Sequence, residues 1–154
     1  MAEEDNICEI RSRLDRPLLL IGLMGSGKTR IGRALAGALG LGFIDSDDEI
    51  EKAAGMDIAD IFDKFGEPYF RDGEKRVIAR LLDEGVQVIA TGGGAVMMPE
   101  TAERVWRDTI SIWVRAEMPV MLERTGRNDR RPLLRGGDPA EILAGLVEKR
   151  YPVY

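Results

Sequence analysis

Histidine is absent from this 154-residue chain. That excludes a Ser-His-Asp triad, a His-containing zinc site and an imidazole proton shuttle. Cys8 is the single cysteine, so no internal disulfide can form. No apolar run approaches the ~20 residues needed to cross a bilayer, and residues 1–16 are charged throughout rather than patterned like a signal peptide. The expected setting is the cytoplasm, with no membrane partner. An excess of positive charge is also missing: Lys and Arg total 22 against 27 for Asp and Glu, a net charge of −5. Such a balance argues against gripping nucleic acid through bulk charge, so any anionic ligand must be held locally. The chemistry left available is that of carboxylates, lysine, arginine, hydroxyls and backbone N–H groups.

What is present suffices for one domain over 1–154. With 44% hydrophobic and 32% charged residues, the chain can bury a core and stay soluble, and it carries no internal repeat or low-complexity linker. Ile7, Ile10 and Leu14 at helical spacing predict a short amphipathic helix ahead of the core. Leu18 to Ile21 is a continuous apolar run of the kind found in strands buried on both faces. A helix with Ile31, Leu35 and Leu39 follows and stops at Gly40. Phe43-Ile44 is a short strand ending at Asp45, and a helix runs to Ala54. Asp57 is the expected N-cap of a helix carrying Ile58, Ile61, Phe62 and Phe65, and Pro68 opens the next helix, which reaches Gly85. Val86 to Ala90 and Ser111 to Val114 are further strands. Helices are expected over Pro99–Trp106 and Pro119–Thr125, and from Asp138 to Pro152. This alternation predicts an α/β fold with a mostly parallel sheet covered on both faces. Ligands bind such sheets at the carboxyl ends of the strands, where Gly22, Asp45 and Gly92 all fall.

Gly22-Leu23-Met24-Gly25-Ser26-Gly27-Lys28-Thr29 matches the G-x-x-x-x-G-K-[ST] phosphate loop in its required strand-loop-helix context. Its glycines let successive N–H groups turn toward phosphate oxygens, and the following helix adds its positive end. Lys28 would reach the β- and γ-phosphates and the Thr29 hydroxyl would ligate Mg²⁺. In Asp45-Ser46-Asp47, alternation of an extended segment would aim both carboxylates into one cleft; the same residues also suit an N-cap and acidic helix start. Gly92-Gly93-Gly94 is best explained where another group approaches the main chain closely. Arg71 has Glu74 three residues on and could form an ordinary helical pair. Arg131 lies in a polar, glycine-tipped stretch, about 126–137, expected to act as a lid. Arg150 ends the last helix, where a cation suits the dipole anyway. Spacing alone does not bring these arginines together.

Taken with the I-A-D-I-F…G-E-x-x-F-R segment of Ile58 to Arg71, the G-G-G-A-V run from Gly92, R-P-L-L from Arg131 and K-R-x-P-x-Y from Lys149, these motifs make the chain resemble shikimate kinases from Leu18 to Tyr154. The resemblance implies a three-layer α/β/α P-loop kinase fold with a small substrate-binding helical insert, about 46–75, and the lid. It implies phosphorylation of the 3-hydroxyl of shikimate by ATP with Mg²⁺, on the route to chorismate and the aromatic amino acids, by a cytoplasmic protein expected to be a monomer. Carried over residue by residue, Asp45 supports the metal through water, and Asp47 binds substrate hydroxyls and is the base. Arg71, Arg150, Gly92, Gly93 and Gly94 hold shikimate, with Glu74 orienting the arginines. Phe62 and Phe70 line the ring pocket. Gly22, Met24, Gly25, Ser26, Gly27, Lys28 and Thr29 bind ATP, Arg124 stacks on adenine and Arg131 meets the phosphates. The family continues beyond K-R-x-P-x-Y with a fifth strand, so four strands are expected here and a fifth beyond Tyr154. Gluconate or nucleotide kinases of the same architecture, and a non-catalytic ATP-binding module, are the rival readings.

Overall fold

The computed structural model describes residues 1–125 and 137–154. Four parallel strands, β1 (Leu18–Ile21), β2 (Phe43–Asp45), β3 (Val88–Ala90) and β4 (Ile110–Trp113), form one sheet in the order β2-β3-β1-β4. Helices fill the connections: α1 (Ala2–Arg13), α2 (Lys28–Leu39), α3 (Ser46–Ala54), α4 (Ile58–Phe65), α5 (Glu67–Leu82), α6 (Pro99–Asp108), α7 (Met118–Thr125) and α8 (Pro139–Arg150). None among the described residues is long and apolar enough to cross a membrane.

Every residue of β1 is buried, as its unbroken apolar run requires, because it pairs with β3 on one side and β4 on the other. Its side chains alternate between faces. Leu19 and Ile21 join Ile89 and the inner sides of α3 to α6 in one core, while Leu18 and Leu20 pack with Val88, Ala36 and Leu39 of α2 in another. A third cluster, Leu23, Met24, Met121 and Leu143, sits where the phosphate loop meets α7 and α8.

Topology decides where a ligand can sit. The chain leaves β1 toward β2, and leaves β3 in the opposite sense toward β4. Crossovers of one hand running in opposite directions place their helices on opposite faces, which opens a crevice at the carboxyl ends of β1 and β3. The 22–29 loop and the three glycines are the segments that emerge there.

Several boundaries and faces differ from the sequence expectation. β3 begins at Val88 rather than Val86, since the ladders to β1 and β2 both start at Val88 and Val86 is exposed. Asp57 stands at the N-cap of α4 but its side chain makes no cap bond; the Ile58 N–H instead donates to Glu51 Oε2 at 3.3 Å. Ile31 and Phe65 are exposed rather than core. Ile31 lies in the first turn of α2, on the wall of the ligand cleft, and the Phe65 ring stacks on Tyr69 with centroids 4.5 Å apart. Asp45-Ser46-Asp47 is not an extended triplet, because α3 starts at Ser46 and Asp45 is its N-cap.

Candidate active site

A cleft of about 600 Å³ opens at that crevice, walled by residues 25–31, Asp45, Asp47, 91–93, Arg115, Ala116, Arg124 and Thr125. Its floor is the turn after β1. Gly22, Gly25 and Gly27 have φ of 152°, 75° and 102°, a region L side chains rarely adopt. Close packing reinforces the requirement: a Cβ on Gly22 would run into the Val114 carbonyl, and one on Gly25 would lie 2.8 Å from the Met121 oxygen. The loop is therefore wedged between the end of β4 and α7, next to the start of α2. Lys28 folds back over it, donating to the carbonyls of Gly22 at 2.7 Å and Leu23 at 2.9 Å. Arg124 Nη1 donates to Gly25 O at 3.2 Å. Ser26 Oγ is buried with no hydrogen-bond partner among the described residues. Met24, by contrast, turns its side chain into the core, so only its backbone can serve a nucleotide.

Thr29 Oγ1 donates to Asp45 Oδ2 at 3.0 Å, and Asp45 Oδ1 accepts the Asp47 N–H at 2.9 Å. The N-cap and the cleft-facing acid of the sequence reading are thus one residue performing both tasks. A hydroxyl and a carboxylate side by side are hard oxygen donors suited to Mg²⁺. Among the described residues no group of three or more His, Cys, Asp or Glu could hold a metal ion by themselves; phosphate and water oxygens would complete such a shell, and the donor set fits that arrangement.

Each of the three glycines after β3 faces a different charged group. A Cβ on Gly92 would lie 3.0 Å from Asp47 Oδ1 and 3.1 Å from Glu74 Oε2; on Gly93, 2.7 Å from Arg150 Nη1; on Gly94, 2.6 Å from Arg71 Nη1. None of the three has the positive φ that would demand glycine, so close approach is what excludes side chains here. Arg71, from α5, and Arg150, from the end of α8, are brought to adjacent backbone positions although 79 residues separate them in sequence.

The Arg71–Glu74 pair is not an ordinary surface pair. Arg71 Nη1 meets Glu74 Oε1 at 2.8 Å with the Glu74 side chain 1% exposed, and the guanidinium lies 5.2 Å from the centroid of Phe70. Burial pushes the Glu74 carboxyl up to about 7 against the pull of Arg71, with Asp47 adding to the rise. Burial opposes the charge on Arg71 as well, but Glu74 and then Glu67 hold its pKa above the ordinary value. Arg150 is buried to 5% exposure, and that burial, with the like charge of Arg71, lowers its pKa. Phe70 is a core residue and Phe62 tilts against it, ring centroids 4.8 Å apart. Arg71, Glu74, Arg150 and the two rings do not form the walls of the 600 Å³ cleft; the three charged side chains border the glycine run beside it. The lid at 126–136, with Arg131, lies outside the described residues.

Sequence reasoning did not single out Thr91, Tyr154, Arg115 or Ala116. Thr91 Oγ1 donates to Leu20 O at 2.9 Å, stitching β3 to β1 directly below the glycines; a hydroxyl at a strand end was the available signal. Tyr154 donates its phenol proton to the Gly93 carbonyl, and only its place in the terminal motif pointed to it. Arg115, on the cleft wall, is held over the rings of Trp113 and Tyr151, an arrangement with no local sequence signature. Ala116 completes that wall.

The family model for shikimate kinase matches residues 24–154. Among curated proteins, a shikimate kinase of Rhodopseudomonas palustris is 56% identical over 140 residues, 91% of this chain and 69% of the relative. One of Paramagnetospirillum magneticum is 52% identical, covering 94% of this chain and 74% of the relative. A solved shikimate kinase of Acinetobacter baumannii in complex with shikimate superposes with a TM-score of 0.90 at 38% identity, covering 95% of this chain and 81% of that one. A gluconokinase of Sinorhizobium meliloti reaches a TM-score of 0.55 at 18% identity, covering 88% of this chain and 75% of that one, a likeness of fold alone.

Proposed function

The chain belongs to the shikimate kinase family, and on that premise we propose how its residues transfer the γ-phosphoryl group of ATP to the 3-hydroxyl of shikimate, giving 3-phosphoshikimate and ADP. The observation that carries the assignment of roles is the convergence of Arg71, Arg150 and Asp47 on three successive glycines beside a phosphate loop. Shikimate is a carboxylate, a set of hydroxyls and a partly apolar ring. Arginine forks take the first, a carboxylate the second, and Phe62 with Phe70 gives the third an aromatic backing.

In this reading the Gly22–Gly27 N–H groups and Ser26 cradle the polyphosphate, with Arg124 stacking on the base at the outer end. Lys28 exchanges its two loop carbonyls for β- and γ-phosphate oxygens. Thr29, directly, and Asp45, through water, would hold Mg²⁺, which when bound neutralises phosphate charge. Arg71 and Arg150 fix the substrate carboxylate over Gly93 and Gly94, leaving the 3-hydroxyl toward Asp47. As the bond from that oxygen to phosphorus forms and the bond to the ADP oxygen breaks, Asp47 receives the hydroxyl proton. Arg131 meets the transferring charge and the lid excludes water. Because phosphoryl transfer is mostly positioning and charge neutralisation, the missing histidines cost nothing. The protein acts as a cytoplasmic monomer built on one domain, with 46–75 as its substrate segment, and its charge gives nucleic acid no purchase.

A coupled assay of ADP formation tests the reading, with shikimate, gluconate and nucleoside monophosphates compared as acceptors. Shikimate is expected to be used and the others not; equal turnover of gluconate refutes the substrate assignment. Asp47→Asn is expected to lower kcat sharply while ATP binding is nearly intact, and unchanged turnover removes Asp47 as the base.

A further inference from the structure

Four charged side chains meet at the triple glycine, and their charges cancel: Arg71 and Arg150 against Asp47 and Glu74. A bound carboxylate adds one negative charge to that enclosed group. Holding uncompensated charge away from water is costly, and the usual outcome is protonation of the group least able to stay ionised.

The candidates differ in what surrounds them. Asp45 has both oxygens engaged, one with Thr29 and one with the Asp47 N–H. Asp47 stands on the wall of the open cleft, where water reaches it. Glu67 is half exposed. Glu74 is 1% exposed; its Oε1 takes Arg71 Nη1, but its Oε2 is buried with no hydrogen-bond partner among the described residues. That oxygen and Asp47 Oδ1 lie 3.1 Å and 3.0 Å from the position a Cβ on Gly92 would take, and the charge of Asp47 favours a proton on Glu74.

We propose that shikimate binds together with one proton, which Glu74 takes up on Oε2. The inference rests on the preceding reading in one respect, that Arg71 and Arg150 receive the substrate carboxylate. Before binding, the fields of Arg71 and Arg150 favour the ionised form of Glu74, and the charge of Asp47 from α3 opposes it. Once a substrate carboxylate lies against the two guanidiniums, its negative charge offsets that support. The proton comes from solvent, an O–H bond forms on Oε2, and no other bond changes. Tyr154 does not compete for it, since its hydroxyl already donates to Gly93. The carboxyl of Glu74, raised to about 7 by burial before any ligand arrives, is poised for this role.

The sign follows from linkage. Above pH about 7, free Glu74 has lost its proton and binding must restore it, so affinity falls by up to about tenfold per pH unit. Well below that pH Glu74 is already neutral, and uptake vanishes. Calorimetric titration of the intact chain with shikimate at pH 8, repeated in buffers of different ionisation enthalpy, is expected to read uptake approaching one proton. Glu74→Gln keeps an oxygen for Arg71 but cannot titrate; its uptake should be nil and its affinity flat with pH. Difference infrared spectra of the wild type should gain a protonated-carboxyl band on shikimate addition, a readout that does not depend on the variant folding. Binding without proton uptake, or uptake that survives in Glu74→Gln, overturns the inference and leaves the kinase reading standing. Failure of shikimate to bind overturns both.

Discussion

Substituting alanine at Gly94 isolates the contact on which the proposed substrate recognition depends. Gly94 sits at φ −95° and ψ 0°, a conformation open to alanine, so the effect is steric rather than conformational. The new methyl would lie 2.6 Å from Arg71 Nη1, against a comfortable separation of about 3.5 Å. The guanidinium must retreat by roughly 1 Å. It is not free to do so cheaply: Glu74 holds it at 2.8 Å from below and Phe70 lies 5.2 Å from it. A displaced Arg71 forfeits its alignment with the substrate carboxylate, a charge-assisted bond of about 1.5–3 kcal/mol. That corresponds to a rise of roughly 10- to 100-fold in KM for shikimate. The ATP side is walled by different residues, so KM for ATP should stay within about twofold, below the ~0.5 kcal/mol typical of remote substitutions. Steady-state ADP release with each substrate varied separately measures both, and a thermal melt confirms folding. Because Arg71 cannot yield cheaply, an unchanged shikimate KM would mean that it does not hold the carboxylate, and would refute this reasoning.

Three helix-interior glycines, Gly37, Gly73 and Gly145, have nothing within 4 Å of a built Cβ. Alanine at each should raise stability by about 0.5–1 kcal/mol, read as a higher urea midpoint with activity retained; Gly73→Ala also serves as a control on the helix that carries Arg71. Gly32 is the opposite case, its Cβ 2.6 Å from the Phe43 ring and 2.9 Å from Leu20 Cδ1, so Gly32→Ala should lower the midpoint by about 1–3 kcal/mol of overpacking. Glu74 titrates near 7 in the folded protein against an ordinary 4.5. Between those values the folded state holds a proton that the unfolded chain releases, so this group's contribution is complete at low pH and is lost as pH rises to about 7. Glu74→Gln should therefore gain on the wild type between pH 5 and pH 8 by a few kcal/mol, on the order of the linkage limit; a constant difference across that range would contradict the burial argument.

Local chemistry was legible without coordinates. Gly22, Gly25 and Gly27 hold backbone conformations that other residues rarely adopt, so the turn must carry glycine at those three positions. The unbroken apolar run of Leu18–Ile21 can only belong to a strand covered on both faces. The helix stop at Gly40, left-handed, follows from the same backbone rule. These features are set by interactions within a few residues, which periodicity and turn chemistry record directly. Resemblance to a family supplied roles for residues that spacing left unconnected.

What no local rule contains is which distant residues become neighbours. That Arg71 and Arg150 face consecutive glycines depends on α5 and α8 docking against the same sheet end. That Glu74 is enclosed rather than solvated depends on what α3 and the glycine run place over it, and the same i,i+3 spacing on an open helix would have been a trivial surface pair. Ile31 and Phe65 obey the helical period yet face outward, because burial is conferred by the partner surface and not by the pattern. Conformational preference is a property of short segments, whereas proximity, desolvation and the pKa values they shift arise only when segments far apart in the chain are packed together.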